Sequence, residues 1–191
     1  MKKGFTLSEM LICISIMAVL VLIFLSTTRA KPNSDMVMFR KAYNIASTNI
    51  YEILQSAAFY ENGLLSNLDK TSQKVEGEYP QGNQKFCKVF SSYINTTDAP
   101  NCNAGGSEPS FTTLDGISWY LPPKTTAGTF AGREKITVDV NGKDNKPNCR
   151  EGDADCKSPD IFDIEISETG KIYIQSDIAK QYLQNTRKIS K

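Results

Sequence analysis

Apolar residues are concentrated at the start of the chain, in the segment FTLSEMLICISIMAVLVLIFL at residues 5–25. Its only charged residue is Glu9. At an α-helical rise of about 1.5 Å per residue the segment spans about 30 Å, close to the thickness of the hydrocarbon core of a bilayer. The pattern predicts a helix that crosses a membrane once.

A second helix is predicted from residue 35 onward, where apolar residues recur every three or four positions. These positions are Met36, Phe39, Tyr43, Ala46, Ile50, Ile53 and Leu54. Ser34 or Asp35 is suited to cap this helix, and Pro32 lies where the backbone from the first helix is expected to bend or break. The two helices are predicted to form one long bent rod.

The rest of the chain predicts loops followed by a small sheet. Residues 61–110 are rich in Asn, Ser, Gly and Thr, with a short helix at 85–94. Strands are predicted at residues 117–121, 136–140, 161–166 and 171–174. A turn at 167–170 joins the last two into a hairpin with one wet face. We therefore predict an antiparallel sheet that packs against the second helix. Residues 176–191 are expected to form a short final helix or a frayed end.

Three interpretations of the apolar segment are open: a cleaved secretory signal, an uncleaved signal anchor, and an anchor whose first residues are trimmed. Lys2 and Lys3 fit the charged start of a secretory signal, and residues 28–30 weakly fit a small-residue cleavage site. The uninterrupted apolar run at residues 10–25 is longer than the roughly 7 to 15 residues of such a signal. An uncleaved anchor would have no use for Glu9. Placing its charged carboxylate within a bilayer costs at least about 2.5 kcal/mol.

Glu9 therefore needs a partner. Thr6 followed three residues later by Glu9, ahead of an apolar run, is the pattern of a capping box. In that motif the two side chains bind the free N–H groups at the start of a helix. This interpretation requires no second molecule.

The sequence KKGFTLSEMLI at residues 2–12 resembles the leader junction of type IV pilins and of the pseudopilins of type II secretion systems. In that family a prepilin peptidase cuts after the Gly of a short basic leader, the next residue becomes N-methylated, and a Glu is fifth in the mature chain. The resemblance implies cleavage after Gly4, an N-methylated Phe5, and an assembly role for Glu9. Its carboxylate would pair with the terminal amine of a neighbouring subunit, which compensates two desolvated charges. A capping role in the monomer is compatible with this.

The resemblance, together with the predicted elements, implies an α+β fold. A long bent N-terminal helix, with its first half transmembrane, packs on the small antiparallel sheet of a head. The expected segments are a leader at 1–4, a transmembrane or filament-core half-helix at 5–25, a connecting and amphipathic half at 26–58, and a globular head at 59–191. The implied location is the inner membrane with an extracytoplasmic head, followed by a filament. The implied partners are copies or sibling pilins, the prepilin peptidase and an assembly platform.

The chain has five cysteines. Cys13 lies in the apolar run and is interpreted as a small buried hydrophobe. The other four lie in loop-rich sequence, and short separations favour pairing Cys87 with Cys102 and Cys149 with Cys156 over the other two connectivities. A four-thiolate zinc site is the rival interpretation, but such sites use closer C-x(2–4)-C pairs. Two disulfides imply an oxidising compartment.

Oxygen-bearing side chains cluster after residue 138, where Asp139, Asn141, Asp153 and Asp155 are candidate calcium ligands. Their position resembles the loop in which some pseudopilins bind calcium. The spacing is not that of an EF-hand, because Gly142 follows Asn141 directly and no Glu closes a twelve-residue loop. We prefer the alternative of a solvated turn in which Asp and Asn serve turn geometry. No other cofactor is predicted.

The composition and net charge of the chain argue against several classes of function. Lys+Arg 22 against Asp+Glu 21 gives a net charge of +1, so no bulk field attracts nucleic acid. The chain contains no histidine, which excludes Ser-His-Asp triads and zinc–histidine sites. Neither a phosphate-binding loop nor a nucleophile elbow is present, so an enzyme is not expected. Trp119 beside Tyr120 is interpreted as packing rather than as a ligand platform.

The sequence thus favours a structural subunit of a type IV pilus-like filament or of a type II secretion pseudopilus, and does not decide between them. Two alternatives from other classes remain. One is a membrane-anchored extracytoplasmic binding domain with an uncleaved signal anchor. The other is a secreted enzyme released after Ala30.

Overall fold

A computed structural model describes residues 7–28, 34–103, 108–122 and 133–184, without the side chains of Glu9 and of residues 20–28. In chain order the elements are α1 (Leu7–Thr28), α2 (Ser34–Gln55), a 3-10 turn (Gly82–Gln84), α3 (Lys85–Ser91), β1 (Phe111–Thr112), β2 (Ser118–Tyr120), β3 (Arg133–Asp139), β4 (Ile161–Ser167), β5 (Ile172–Tyr173) and α4 (Asp177–Gln184). The predicted α+β class is confirmed.

The chain divides into two compact units, Met1–Ser34 and Asp35–Lys191. Helix α1 lies in the first unit, and the second contains α2 from Asp35 onward and every later element. Residues 29–33, between the two helices, lie outside the described residues. The single bent rod with its break at Pro32, and the segment boundaries at residues 25 and 58, therefore stay predictions.

Helix α2 buries one face, as its 3.6-residue period predicts. Its buried apolar positions are Phe39, Ala42, Ala46, Ile50 and Ile53. Met36, Tyr43 and Leu54, which share the predicted stripe, are half-buried at its edges. The ring of Phe39 lies 4.6 Å from the ring of Phe162 on β4, measured between centroids. The helix therefore supplies one wall of the head's core.

The sheet is an antiparallel meander in the order β1-β2-β3-β4-β5. All four predicted strands are present, with shifted ends. The longest pair is β3 with β4, in which Val138 lies opposite Phe162 and Ile136 opposite Ile164. These four side chains are buried, and alternate residues of β4 are only half-buried. The hairpin of β4 and β5 thus has the one wet face that its alternation predicts.

Strand β1 was not predicted, because a two-residue strand carries no readable period. It places Phe111 opposite Trp119 on β2. The two rings stack with centroids 5.9 Å apart, and the ring of Phe90 on α3 lies 5.8 Å from the indole. Trp119 is fully buried. Trp119 therefore packs in the core of the head, as we interpreted it from the sequence.

The two short helices of the head also follow the prediction in part. Helix α3 begins at Lys85 as expected and ends at Ser91, three residues before the predicted end. Helix α4 forms within the C-terminal segment, and residues 185–191 lie outside the described part of the chain. The ring of Tyr182 on α4 lies 5.7 Å from Phe162 and 6.4 Å from Phe39. Helix α4 therefore covers the core beside the first turns of α2.

Candidate assembly site

The residues predicted to take part in leader cleavage, methylation and assembly lie at the very start of the chain. Gly4 and Phe5 are outside the described residues, and Glu9 is the third residue of α1 with its side chain outside them. The cleavage after Gly4, the methylation of Phe5 and the pairing of Glu9 therefore stay predictions.

Helix α1 itself is exposed on all sides. Each of its described side chains is exposed, and the large apolar ones have 55 to 82 % of their surface accessible. A helix that is apolar all round is normally buried, and monomeric soluble proteins rarely expose such a surface. The apolar surface of α1 is therefore suited to burial against a partner.

Within the residues that the structure describes, we find no helix with enough length and apolar character to cross a membrane. The membrane crossing expected for residues 5–25 is therefore not confirmed. Cys13, which we interpreted as a buried hydrophobe, is a free and exposed thiol in the single chain.

The four cysteines of the head form the two disulfides favoured by sequence separation. Cys87 on α3 bonds to Cys102 in the loop before β1, with 5.6 Å between their Cα atoms. Cys149 bonds to Cys156 within the connection from β3 to β4, with 5.9 Å between their Cα atoms. All four sulfurs are thus committed to disulfides, which leaves no thiolates for the zinc alternative.

The candidate calcium ligands serve the loops in which they lie. Asp139 accepts a hydrogen bond from Gly142 N at 3.0 Å, and Asn141 Nδ2 donates to Lys146 O at 3.1 Å. Asp153 accepts from Arg150 N at 2.7 Å inside the second disulfide loop, where Asp155 is exposed. Among the described residues, no three acidic, cysteine or histidine side chains are grouped so as to hold a metal ion. Calcium binding remains an untested expectation.

Asp139 and Asp160 are nevertheless an unusual pair, because both carboxyl groups are buried. Burial, and then the nearby charge of Asp160, raise the pKa of Asp139 to about 6, although backbone amides of Asn141 and Gly142 act against the rise. Asp160 accepts hydrogen bonds from Asn148 N and Cys149 N, both at 2.8 Å. The hydrogen bonds that the two carboxyl groups accept fix the backbone of the β3–β4 connection.

The wet face of the sheet carries an ion-pair cluster centred on Asp163. Its carboxylate lies 2.6 Å from Arg150 Nη1 and 3.1 Å from Lys135 Nζ, and it accepts a hydrogen bond from Thr137 Oγ1 at 2.6 Å. Burial alone would raise the pKa of Asp163, but these hydrogen bonds and the charge of Arg150 hold it below its ordinary value. The cluster fixes the second disulfide loop onto the sheet.

Sequence reasoning missed Glu151, which holds α4 in place. Its carboxylate accepts a hydrogen bond from Ser176 Oγ at 2.5 Å and lies 3.4 Å from the backbone nitrogen of Ile178. These partners are 25 and 27 positions away in the chain, and no pattern in the sequence marks such a contact.

Comparison with known proteins adds evidence at the N-terminus alone. No curated protein and no solved structure matches the chain. Residues 1–25 match the family described as the prokaryotic N-terminal methylation motif, which is the prepilin-type signature of type IV pilins and pseudopilins. The motif implies processing by a prepilin peptidase and assembly with other pilins. It thereby indicates a type IV pilin-like or pseudopilin protein, a class that is generally structural and non-enzymatic.

Proposed function

We propose that this chain is a structural subunit of a type IV pilus-like filament or of a type II secretion pseudopilus. The observation that carries the proposal is the match of residues 1–25 to the N-terminal methylation motif. Two features of the structure support it: the large apolar side chains described on α1 are exposed, and the head carries two disulfides. A filament core covers such a helix, and disulfides suit a head outside the cytoplasm.

In this proposal the new chain inserts into the inner membrane through residues 5–25, with the head on the extracytoplasmic side. Prepilin peptidase removes residues 1–4 and leaves a positive amine on Phe5, which is then methylated. Glu9 lies one helical turn farther along. In the apolar filament core its carboxylate pairs with the amine of a neighbouring copy or sibling pilin, so that each desolvated charge has a partner.

Two substitutions separate assembly from simple helix capping. Glu9→Leu removes the carboxylate and is expected to leave membrane insertion and leader cleavage intact while abolishing incorporation into filaments. Thr6→Ala removes the other half of the capping box and retains the carboxylate, so we expect normal incorporation. The measurement is the fraction of head antigen in sheared or detergent-resistant filaments. Normal assembly of Glu9→Leu would remove the proposed mechanism.

The alternative, a membrane-anchored extracytoplasmic binding domain, predicts an uncleaved N-terminus and no filament fraction. Within the proposed class, the two kinds of filament differ in where they act. A surface pilus is recovered from the medium after shearing, whereas a pseudopilus is required for export of other proteins and is retained in the envelope.

A further inference from the structure

Lys85, the first residue of α3, is buried, with only 1 % of its surface exposed. A lysine is almost never fully buried unless an acid pairs with it, because its ammonium loses hydration. Within the described part of the chain, no carboxylate forms an ion pair with Lys85. Burial lowers the pKa of its amine, although the charge of Asp69 acts against this shift. The neutral amine, which is a nucleophile, is therefore favoured here more than at an exposed lysine.

The amine of Lys85 is enclosed by one asparagine and one aromatic ring. Its Nζ lies 2.9 Å from the backbone oxygen of Asn67 and 3.4 Å from Asn67 Oδ1. On another side the ring of Tyr60, which is itself buried, lies with its centroid 4.3 Å from Nζ. The buried amine thus faces a side-chain carboxamide that is 18 positions away in the chain.

The carboxamide of Asn67 is fixed and polarised where the amine meets it. Its Oδ1 accepts a second hydrogen bond from Asp69 N, at 2.8 Å. The backbone beside it is fixed as well, since Gly82 N donates to Leu68 O at 2.8 Å. Donors on a carbonyl oxygen stabilise the negative charge that develops there when a nucleophile attacks the carbon. The side chain of Asn67 is therefore arranged as an electrophile.

The distance between the two groups suits a reaction. In an amide the nitrogen and the oxygen are about 2.3 Å apart, so Lys85 Nζ must approach Asn67 Oδ1 by only about 1 Å to be bonded to the same carbon. Reacting groups held about 3 to 3.5 Å apart are in the range of a near-attack arrangement. Both groups belong to the same chain, so the reaction requires no access from the solvent.

We propose that Lys85 Nζ and Asn67 Cγ join in an intramolecular isopeptide bond. The neutral amine adds to Cγ and forms the new C–N bond. One amine proton moves to the carboxamide nitrogen, the original C–N bond breaks, and ammonia leaves with the electron pair of that bond. The proton that the lysine ammonium loses at the start ends on this ammonia, so the step needs no oxidant, reductant or co-reactant.

The surroundings allow the leaving group to depart. A pocket of about 390 Å³ is lined by Asn67, Asp69 and Lys85, among others, and gives ammonia a route to the solvent. The bond would tie the loop before α3 to the first residue of that helix, two residues before Cys87 of the first disulfide. Like a disulfide, it would restrict the unfolded chain. This inference goes beyond the proposed function and does not depend on polymerisation.

The test is mass spectrometry of the full chain, purified from membranes of its producing cells and reduced. We expect the intact mass to be lower than the sequence requires by the mass of one ammonia. In a tryptic digest we expect residues 42–70 to be joined to residues 75–88 through Asn67 and Lys85, without cleavage after Lys85, because trypsin does not cut after an acylated lysine. The joined peptides are the deciding observation, since a succinimide at Asn62 or Asn141, each followed by glycine, also loses ammonia.

Three variants test the assignment. Lys85→Met removes the amine and Asn67→Ala removes the carboxamide, and each is expected to abolish the joined peptides and to lower the melting temperature of the head. The matched control is Asn62→Ala. Asn62 Oδ1 accepts from Leu64 N at 3.1 Å in the same kind of turn as Asn67, but contacts no lysine within the described residues. We expect this variant to retain the joined peptides.

Recovery of residues 42–70 and 75–85 as separate peptides from the folded parent, with Asn67 intact, would overturn the proposal and leave Lys85 as a buried cation. Joined peptides that persist in Lys85→Met or Asn67→Ala would overturn it as well. The N-terminal peptide of the same digest reports on leader cleavage and methylation. Failure of the isopeptide bond is thereby distinguished from failure of the proposed function.

Discussion

Glu151 and Ser176 connect the second disulfide loop to the start of α4. The hydrogen bond from Ser176 Oγ to the Glu151 carboxylate is 2.5 Å long, and the same oxygen lies 3.4 Å from Ile178 N in the first turn of the helix. The carboxylate thus serves as an N-terminal cap supplied from outside the helix, where negative charge also favours the helix dipole. This contact adds to the packing of Tyr182 on Phe39 and Phe162 in holding α4 over the core.

We predict that Glu151→Ala loosens α4 without unfolding the head. Loss of the cap and its charge should cost on the order of 1 kcal/mol. Hydrogen exchange of the peptide covering Asp177–Gln184 should become several times faster, while exchange in β3 and β4 stays unchanged. Glu61→Ala, which removes an exposed carboxylate with no hydrogen bond or ion pair among the described residues, is the control. Equal exchange of α4 in Glu151→Ala and the parent would contradict the assignment.

Asp139 and Asp163 should respond to pH with opposite signs. The folded pKa of Asp139 is raised to about 6, so the charged carboxylate opposes folding and its penalty grows as pH rises from about 4 to 6. Asp139→Asn keeps the oxygen that accepts from Gly142 N and removes the charge. We expect it to stabilise the head by on the order of 1 to 2 kcal/mol at pH 7.5, and by progressively less as pH falls toward 4.

Asp163→Asn is the matched variant. The folded pKa of Asp163 is lowered, so its stabilisation is present above the unfolded pKa and is lost as pH falls through the folded pKa. The substitution should destabilise the head by roughly 1 to 3 kcal/mol at pH 7.5 and by less at pH 3.5. Urea unfolding of both variants at several pH values measures this, and a shift of the same sign in the two would refute the assignment.

Gly170 lets the β4–β5 turn approach α2. Its φ is 78°, and a Cβ there would collide with Leu54 Cδ1 and lie 3.1 Å from Ile50 Cγ2. Gly170→Ala should therefore cost about 2 to 4 kcal/mol, from left-handed strain together with overpacking. Gly116, with φ of 90° and nothing within 4 Å of its Cβ position, is the control, and Gly116→Ala should cost only about 1 kcal/mol. Thermal melts of both variants provide the comparison, and equal losses would mean that the close approach is absent.

The two disulfides should contribute unequal stability. The Cys87–Cys102 bond spans 15 positions and the Cys149–Cys156 bond spans 7, so the first restricts the unfolded chain more. Replacing each pair by serine is expected to cost about 3 kcal/mol for the first and somewhat over 2 kcal/mol for the second. Loss of the second pair should additionally speed hydrogen exchange in α4, since Glu151 lies in that loop. A pair whose removal leaves the unfolding midpoint unchanged would contradict this ordering.

The parts of the head that were predictable are those with long, regular burial patterns. The alternation of Phe162, Ile164 and Ile166 marks β4, and the 3.6-residue period marks α2 over its full length. Strand β3 begins three residues before its predicted start because Arg133 and Lys135 face the wet side, where ion pairs rather than burial hold them. Hydrophobic alternation gives no sign of such positions.

The candidate site likewise has one part that could be predicted from the sequence and one part that could not. The motif in residues 1–25 could be read from the sequence because it consists of contiguous residues. Glu151 was not predictable as a contact residue. It acquires its role from Ser176 and Ile178, which only the folded chain brings near.

The intact mass of the mature protein, purified from membranes of its producing cells, tests most directly whether this chain is a pilin-like subunit. We predict a polypeptide that begins at Phe5 and carries one methyl group on its terminal amine. A polypeptide that still begins at Met1 would contradict the proposal and favour an uncleaved anchor. One that begins after Ala30 would contradict it as well and indicate a secreted protein.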